Sequence, residues 1–272
     1  MGEEWPSAER REAIDDRLEA ALPPAGGSPL APAREVVLQA EDRRYGRLLV
    51  ASYGSYGSLP GARVPEPIPS AAAAVELLRG YCRLRERLLS RVDGVSPSDR
   101  APMADLLAAD YLYTAAYSSL VGVDDDGLTV CMGVFTDALS TIVETFDAAY
   151  ARPSPAIDHV AYVDGTAGAL GRGAAVIGAT LTGADDAPRS RFADYGRGFA
   201  TAYRIRLALA SDDGTAYPFA DTPDDRLHRH AIGRFGDAEE ALERLPVGVD
   251  TDPLRTLLGS VTPIRVSNDS AD

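Results

Sequence analysis

Apolar residues recur at helical spacing along almost the whole chain, and this limits its fold more than any motif does. "SAERREAIDDRLEAAL" sets Ile14, Leu18 and Leu22 four residues apart with charges opposite, and Pro23-Pro24 ends the run. Residues 33–52 read as a second helix, and "GSLPGARVPEPIPS" as a breaker-rich loop. Ser70 is the expected N-cap of a long helix reaching about Val92. Further helices are expected at Ala104–Leu120, 128–150, 155–182 and 190–210. Asp237 with Glu240 reads as a capping box for "DAEEALERL". Gly46, Gly80, Gly165, Gly168, Gly171, Gly173 and Gly196 fall inside these helices, where glycine is costly, so close helix packing is their expected reason. The one β-like run is the short "SVTPIRVS". Eight or more helices rich in alanine and leucine imply an all-α bundle. Its 272 residues suffice for one large core, so residues 1–272 are expected to form a single domain.

Charge narrows the partners. The net charge is −14, from 41 acidic against 27 basic residues, and every one of those 27 is arginine. Such a surface repels nucleic acid and anionic membranes, which excludes both as expected partners. It fits a halophilic protein of a high-salt cytoplasm, where the Debye length falls to about 3 Å at 1 M salt. Cys82 and Cys131 lie in apolar helical contexts and suit small buried thiols in a reduced compartment. No signal-peptide pattern opens the chain, and no uncharged run reaches the roughly 18 residues of a membrane span. A cytoplasmic protein is expected.

Several tempting motifs fail. "GTAGALGRGAAVIG" lacks the G-x-G-x-x-G spacing, a preceding strand and a P-loop lysine, so its glycines read as a helix contact. His159, His228 and His230 form no metal signature, and "LHRH" reads as a solvated segment. "DDDG" at 124–127 lacks calcium-loop spacing. No nucleophile elbow is present.

What does emerge is an ordered series of strings. "EDRRYGRLLVAS" is similar to a G-K-R-L-R-P helix, with Arg43 and Arg44 at the lysine and first arginine and Arg47 at the proline. "LLAADYLYTAAYSSL" is similar to a G-D-Y-L-L helix. "VETFD" stands at a G-Q-x-x-D string and keeps Asp147, and "YVDGTAGAL" stands at K-T-A-x-L with Gly165 in place of lysine. "DYGRGFATAYRIRLAL" follows Y-G-x-x-L-G-x-A-F-Q-I-x-D-D, and "EEALERLP" follows the C-terminal A-x-x-A-L-x-x-L-P. Over about residues 35–255 the chain thus resembles the trans-isoprenyl diphosphate synthases, the polyprenyl synthetase family. That resemblance implies the class I isoprenoid synthase fold, and a dimer built on the helices near 104–120 and 128–150.

The departures fall on the chemistry. In the family, two aspartate-rich motifs are implied to hold magnesium against an allylic diphosphate. Here the first falls on Glu86-Arg87-Leu88-Leu89-Ser90 and the second on Leu207-Ala208-Leu209-Ala210-Ser211, with Arg204 replacing the preceding glutamine. Magnesium needs oxygen ligands, usually carboxylates plus phosphates. One carboxylate, Glu86, cannot assemble a cluster, so no cofactor is expected; Mg2+ remains the alternative if Asp212 and Asp213 have taken over the role. Glu86, Arg87 and Arg204 are expected to approach one another across the cavity. They can close it as a buried ion pair, or bind an anion or diphosphate directly together with Arg43, Arg44 and Arg47. Three readings follow. One is a non-catalytic homologue acting as a regulatory or structural partner, as a homodimer or a heteromer with an active prenyl synthase. The others are an active prenyltransferase or terpene-type synthase, and a binding protein for a prenyl or other anionic ligand.

Overall fold

The structure, a computed structural model, describes residues 8–24, 28–40, 42–56, 65, 67–91, 100–121, 127–151, 158–210 and 222–261. Ser211, Asp212, Asp213, the three aspartates at 124–126 and most of "SVTPIRVS" lie outside them. Among the described residues there are helices and no strands.

Helix α1 (Ala8–Ala21) buries Ile14 and Leu18 against the bundle, as its spacing requires. The run expected as one helix over 33–52 is instead two, α2 (Ala31–Leu38) and α3 (Arg44–Tyr56). Arg43 breaks it, with a left-handed φ of 43° that a non-glycine residue adopts at a cost on the order of 1 kcal/mol. Side chains close both open ends. Arg43 Nη1 donates to the carbonyls of Val37 and Ala40, each at 2.6 Å, and its Nε donates to Asp15 Oδ1 at 2.6 Å. Glu76 Oε1, from the next helix, accepts from the backbone N–H of Tyr45 (3.0 Å) and Gly46 (2.9 Å). A carboxylate at these orphan donors also meets the positive end of the α3 dipole.

Helix α4 (Pro67–Arg91) starts one turn earlier than the expected Ser70 cap, at a proline suited to a first turn. Its alanines 71–74 are wholly buried, which lets α1, α3 and α5 (Arg100–Val121) pack closely around it. Helix α6 (Leu128–Tyr150) follows. The expected 155–182 helix is resolved as α7 (His159–Val163), a π-type turn (Asp164–Gly168) and α8 (Ala169–Thr180). Next come α9 (Asp186–Leu209), α10 (Asp224–Glu243) and α11 (Asp252–Gly259). Asp237 opens no helix. It lies inside the unbroken α10, paired with Arg234 at 3.0 Å.

The α8–α9 crossing explains two of the helical glycines. A Cβ on Gly171 would land on the carbonyl oxygen of Gly196, and one on Gly196 on that of Gly171. Neither helix could approach so closely with any larger residue. Cys82 and Cys131 are both buried, and neither is in a disulfide. Helix α6 is long and apolar enough to cross a membrane by length and composition alone. Its inner stripe of Phe135, Ile142 and Phe146 is nevertheless buried against the bundle, and α8 is its main neighbour.

Candidate functional site

Glu76, Arg79, Arg83 and Glu86 lie at helical spacing on one face of α4. Opposite stand Tyr203, Arg204 and Leu207 of α9 and Thr166, Ala167 and Leu170 from the π-turn and α8. Asp42, Arg44 and Tyr45 close the third side. Together these elements leave a cavity of about 50 Å³.

An ion pair spans it. Arg204 Nη2 donates to Glu86 Oε2 at 3.2 Å, and Arg83 Nη1 reaches the same oxygen at 2.9 Å. The Arg204 and Glu86 side chains are only 9% and 13% exposed. Burial alone would raise the Glu86 carboxyl; Arg204 and Arg83 outweigh it and hold it below its ordinary value. At the mouth, Asp42 Oδ2 accepts from the Tyr203 hydroxyl at 2.5 Å and Arg44 Nε at 3.2 Å. Burial opposes ionisation of Asp42, yet Tyr203 and the nearby arginines leave its carboxyl lowered. The Arg44 guanidinium lies 4.3 Å above the Tyr203 ring and donates to Ser260 Oγ at 2.7 Å. Deeper in, Glu76 is completely buried and holds Arg79 Nε at 2.9 Å.

The residues expected at a site therefore part company. Glu86, Arg204, Arg44 and Leu207 come together. Arg87 does not: it turns outward to Glu35 of α2 at 3.0 Å, because one residue past Glu86 rotates it about 100° around the helix. Ser90 is exposed, its hydroxyl bonded to the Arg87 carbonyl. Arg43 is committed to the α2–α3 junction. Arg47 is half-buried one turn along α3, outside the cavity lining, and burial and then Arg44 depress its pKa. Ala208 is half-buried and likewise outside the lining. Sequence reasoning did not find Glu76, Arg79, Asp42 or Tyr203. The i, i+3, i+7, i+10 spacing of Glu76, Arg79, Arg83 and Glu86 was the available signal.

A second cluster sits at the π-turn. Arg234 grips Asp164 with a two-pronged contact, Nε to Oδ1 at 3.0 Å and Nη2 to Oδ2 at 2.5 Å. Thr201 Oγ1 donates to Oδ1 at 3.0 Å, and His230 Nε2 lies 3.2 Å from Oδ2. Burial works against the charged form, but His230 and Arg234 hold the Asp164 carboxyl far below the usual carboxylate range. The "LHRH" segment is thus not simply solvated. His159 is buried too, with Nδ1 2.7 Å from Thr222 Oγ1. At Gly165, the family's lysine position, a Cβ would strike the Thr145 hydroxyl, so a side chain there requires Thr145 to turn away.

The magnesium that the resemblance implies does not fit these residues. Glu86 is already shared by two arginines, and no group of three or more His, Cys, Asp or Glu among the described residues could hold a metal ion. A roomier cleft, of about 500 Å³, lies between α1, the start of α4 and α5, beside Arg17, Tyr111 and Ser118.

No family model and no curated protein sequence matches this chain. Solved structures do match. A geranylgeranyl pyrophosphate synthetase from Pyrococcus horikoshii superposes with a TM-score of 0.71 at 16% identity, covering 93% of this chain and 95% of that one. A geranyltransferase from Helicobacter pylori, complexed with magnesium and isoprenyl diphosphate, gives 0.70 at 13% identity, with 96% and 98% covered. A geranyl diphosphate synthase small subunit from Antirrhinum majus gives 0.67 at 18%, with 92% and 97% covered. The chain has the all-α fold of the trans-isoprenyl diphosphate synthases.

Proposed function

We propose that this chain is a non-catalytic homologue of the isoprenyl diphosphate synthases, acting as a regulatory or structural partner in isoprenoid biosynthesis. The observation that carries this reading is the Arg204–Glu86 pair, which sets a cation and its counter-charge where the family is implied to place metal and diphosphate. The remaining 50 Å³ supports it, since small-molecule sites run to about 300–1,000 Å³. The similarity to a protein named as a synthase small subunit is consistent with a partner role.

The surface for such a partner is the outer side of α5 and α6. Met103, Leu107, Tyr113 and Val121 of α5 and Val130 and Val143 of α6 are exposed apolar side chains. Where such side chains join into a contiguous patch they mark an interaction site, and this is the surface we assign to the partner. Leu112 and Leu120 of α5 face inward and are fully buried, so that helix is apolar on two sides for two reasons. The interaction is either with a second copy or with an active synthase.

Two measurements test the proposal. The protein incubated with Mg2+, isopentenyl diphosphate and dimethylallyl or geranyl diphosphate should give no prenyl product. Turnover abolished by Asp212→Ala would establish the enzyme reading instead. Light scattering of the protein mixed with an active prenyl synthase should show a heteromer or a homodimer. A 28.8 kDa monomer that leaves the synthase's rate and product length unchanged would remove the partner role.

A further inference from the structure

Helix α6 is apolar in composition, yet only 28% of its most apolar stretch is buried in the bundle. Its outward side has an order of its own. Gly133, Asp137, Ser140, Glu144 and Asp147 recur at spacings of four, three, four and three residues, and all five are exposed. Such positions form one stripe along a helix, and alternating spacings of this kind make the seam of two helices packed side by side. Val130 and Val143 flank the stripe, 40% and 45% exposed. Gly133 marks the seam for close approach. A Cβ there would meet nothing within 4 Å, so no contact in this chain calls for a residue that weakens a helix interior. A neighbouring helix drawn in close would.

Charge decides which neighbour. Three of the five seam residues are carboxylates, and Asp137, Glu144 and Asp147 make no ion pair with any described residue. Helix α6 contains no basic residue, and the one arginine of α5 is its first residue, Arg100. Asp110 of α5 takes Arg85 at 3.6 Å. Arg172, the one arginine of α8, is exposed and makes no ion pair with the three. A second copy laid on this seam brings three more carboxylates against these, and like charges facing across an interface are strongly unfavourable. A lipid surface serves no better, since carboxylates in the middle of the stripe are costly to place in hydrocarbon.

We propose that α6 docks a different protein through this seam, and that the docking helix presents arginine or lysine to Asp137, Glu144 and Asp147. The same carboxylates keep copies of this chain apart at low salt. The inference rests on the partner reading above and narrows it, because the seam selects a heteromer over a homodimer.

The probe is the full chain with its seam reversed by Asp137→Arg, Glu144→Arg and Asp147→Arg together. All three positions are exposed, and circular dichroism checks that the variant folds. By analytical ultracentrifugation at about 50 mM salt, wild type and reversed variant should each be a 28.8 kDa monomer. Their mixture should form a one-to-one complex, about 100-fold tighter than either self-association, at roughly a factor of two for each repulsion lost and each exposed ion pair gained. About 1 M salt, with a Debye length near 3 Å, should erase most of that difference. The neutral variant Asp137→Asn, Glu144→Gln, Asp147→Asn should self-associate at least about tenfold more tightly than wild type. Gly133→Leu should abolish the mixed complex without lowering the monomer's melting midpoint, because the position is open within the chain. A mixture that does not associate overturns the seam, as does a complex indifferent to Gly133→Leu. So does a wild type that dimerises at low salt as tightly as the neutral variant. Association of the designed pair with no effect on an active synthase would refute the partner reading alone. Failure of the pair would refute this inference and leave the partner reading to another surface.

Discussion

The Arg204–Glu86 contact can be taken apart one charge at a time. In Arg204→Met, Glu86 keeps Arg83 at 2.9 Å but loses its more deeply buried partner. Breaking a buried pair by removing one member costs about 3–5 kcal/mol. Because Arg83 remains, and is itself a third exposed, the lower end of that range, about 3 kcal/mol, is expected here. Glu86→Gln should cost as much or more, since it takes the shared carboxylate from Arg83 and Arg204 together. Removing both, as Glu86→Leu with Arg204→Leu, should recover most of the loss, because well-packed apolar replacements of buried pairs are neutral or even stabilising by about 1–4 kcal/mol.

The assay is urea denaturation of the wild type, Arg204→Leu, Glu86→Leu and the variant carrying both, read as a double-mutant cycle. A coupling energy of about 2 kcal/mol or more supports a closed, self-neutralised cavity. Single-variant costs near zero would mean that the pair is solvated and that the cavity is open to a ligand. The pH dependence gives an independent check. Glu86 is lowered in the folded state from an ordinary value of 4.5. Its stabilisation is therefore fully present above about pH 4.5 and is lost as pH falls through the lower folded-state pKa. The gap between wild type and Glu86→Gln should persist at neutral pH and narrow only in that acid window.

Two further outcomes follow from the packing and from the π-turn. Gly196→Ala should destabilise by about 1–3 kcal/mol through collision with the Gly171 carbonyl, whereas Gly236→Ala, in open space on α10, should stabilise by about 0.5–1 kcal/mol; equal signs in thermal melts would refute the tight α8–α9 crossing. Asp164→Asn should cost about 2 kcal/mol, discounted because Arg234 is a quarter exposed, and since the folded carboxyl lies far below 3.8 that difference should be fully present above about pH 3.8 and fade only well below it. A stability difference that disappears near pH 6 would point to a different partner for Asp164.

Element type was legible in the sequence wherever an apolar stripe ran unbroken, as in α4, α5, α6 and α9. The helix break at Arg43 was not, because no proline or glycine marks it. The chain turns there through a strained arginine whose ends are satisfied by Glu76, 33 positions away, and by Asp15, 28 positions back. The false capping box at Asp237 shows the opposite error: the local pattern was present, but α10 was already under way and Asp237 had an ion pair to make. At the cavity, the Glu86–Arg204 meeting was readable once the two motif positions were aligned. Choosing Arg87 over Arg83 beside Glu86 was an error of helical phase. Positions 86 and 87 lie three and four residues past Arg83 and so flank it around the helix; Glu86 falls on the side that meets Arg204 of α9, and Arg87 on the side that meets Glu35 of α2. The Asp164 cluster joins three elements through contacts 37 to 70 residues apart, and no local spacing announces it.

The charges at the cavity also predict what partial reversion would do. Facing carboxylates repel one another unless a cation lies between them, whereas a glutamate facing an arginine needs none. Exchanging one arrangement for the other should therefore exchange the protein's response to metal. In the triple variant Ser90→Asp, Arg204→Gln, Leu207→Asp, Glu86 loses its principal counter-charge and faces a new carboxylate from α9, with another one turn further along α4. The metal-free variant should be less stable than wild type by about 3 kcal/mol or more, because it combines a broken buried pair with like-charge repulsion. Magnesium binds through carboxylates with several retained waters, so millimolar Mg2+ should raise the variant's melting midpoint while leaving the wild type unmoved. Thermal melts with and without Mg2+ decide the matter, with Ca2+ as a larger-ion control. A variant as indifferent to Mg2+ as the wild type would show that positions 86 and 207 do not face a common point, and the account of the cavity as a neutralised metal site would fall with it.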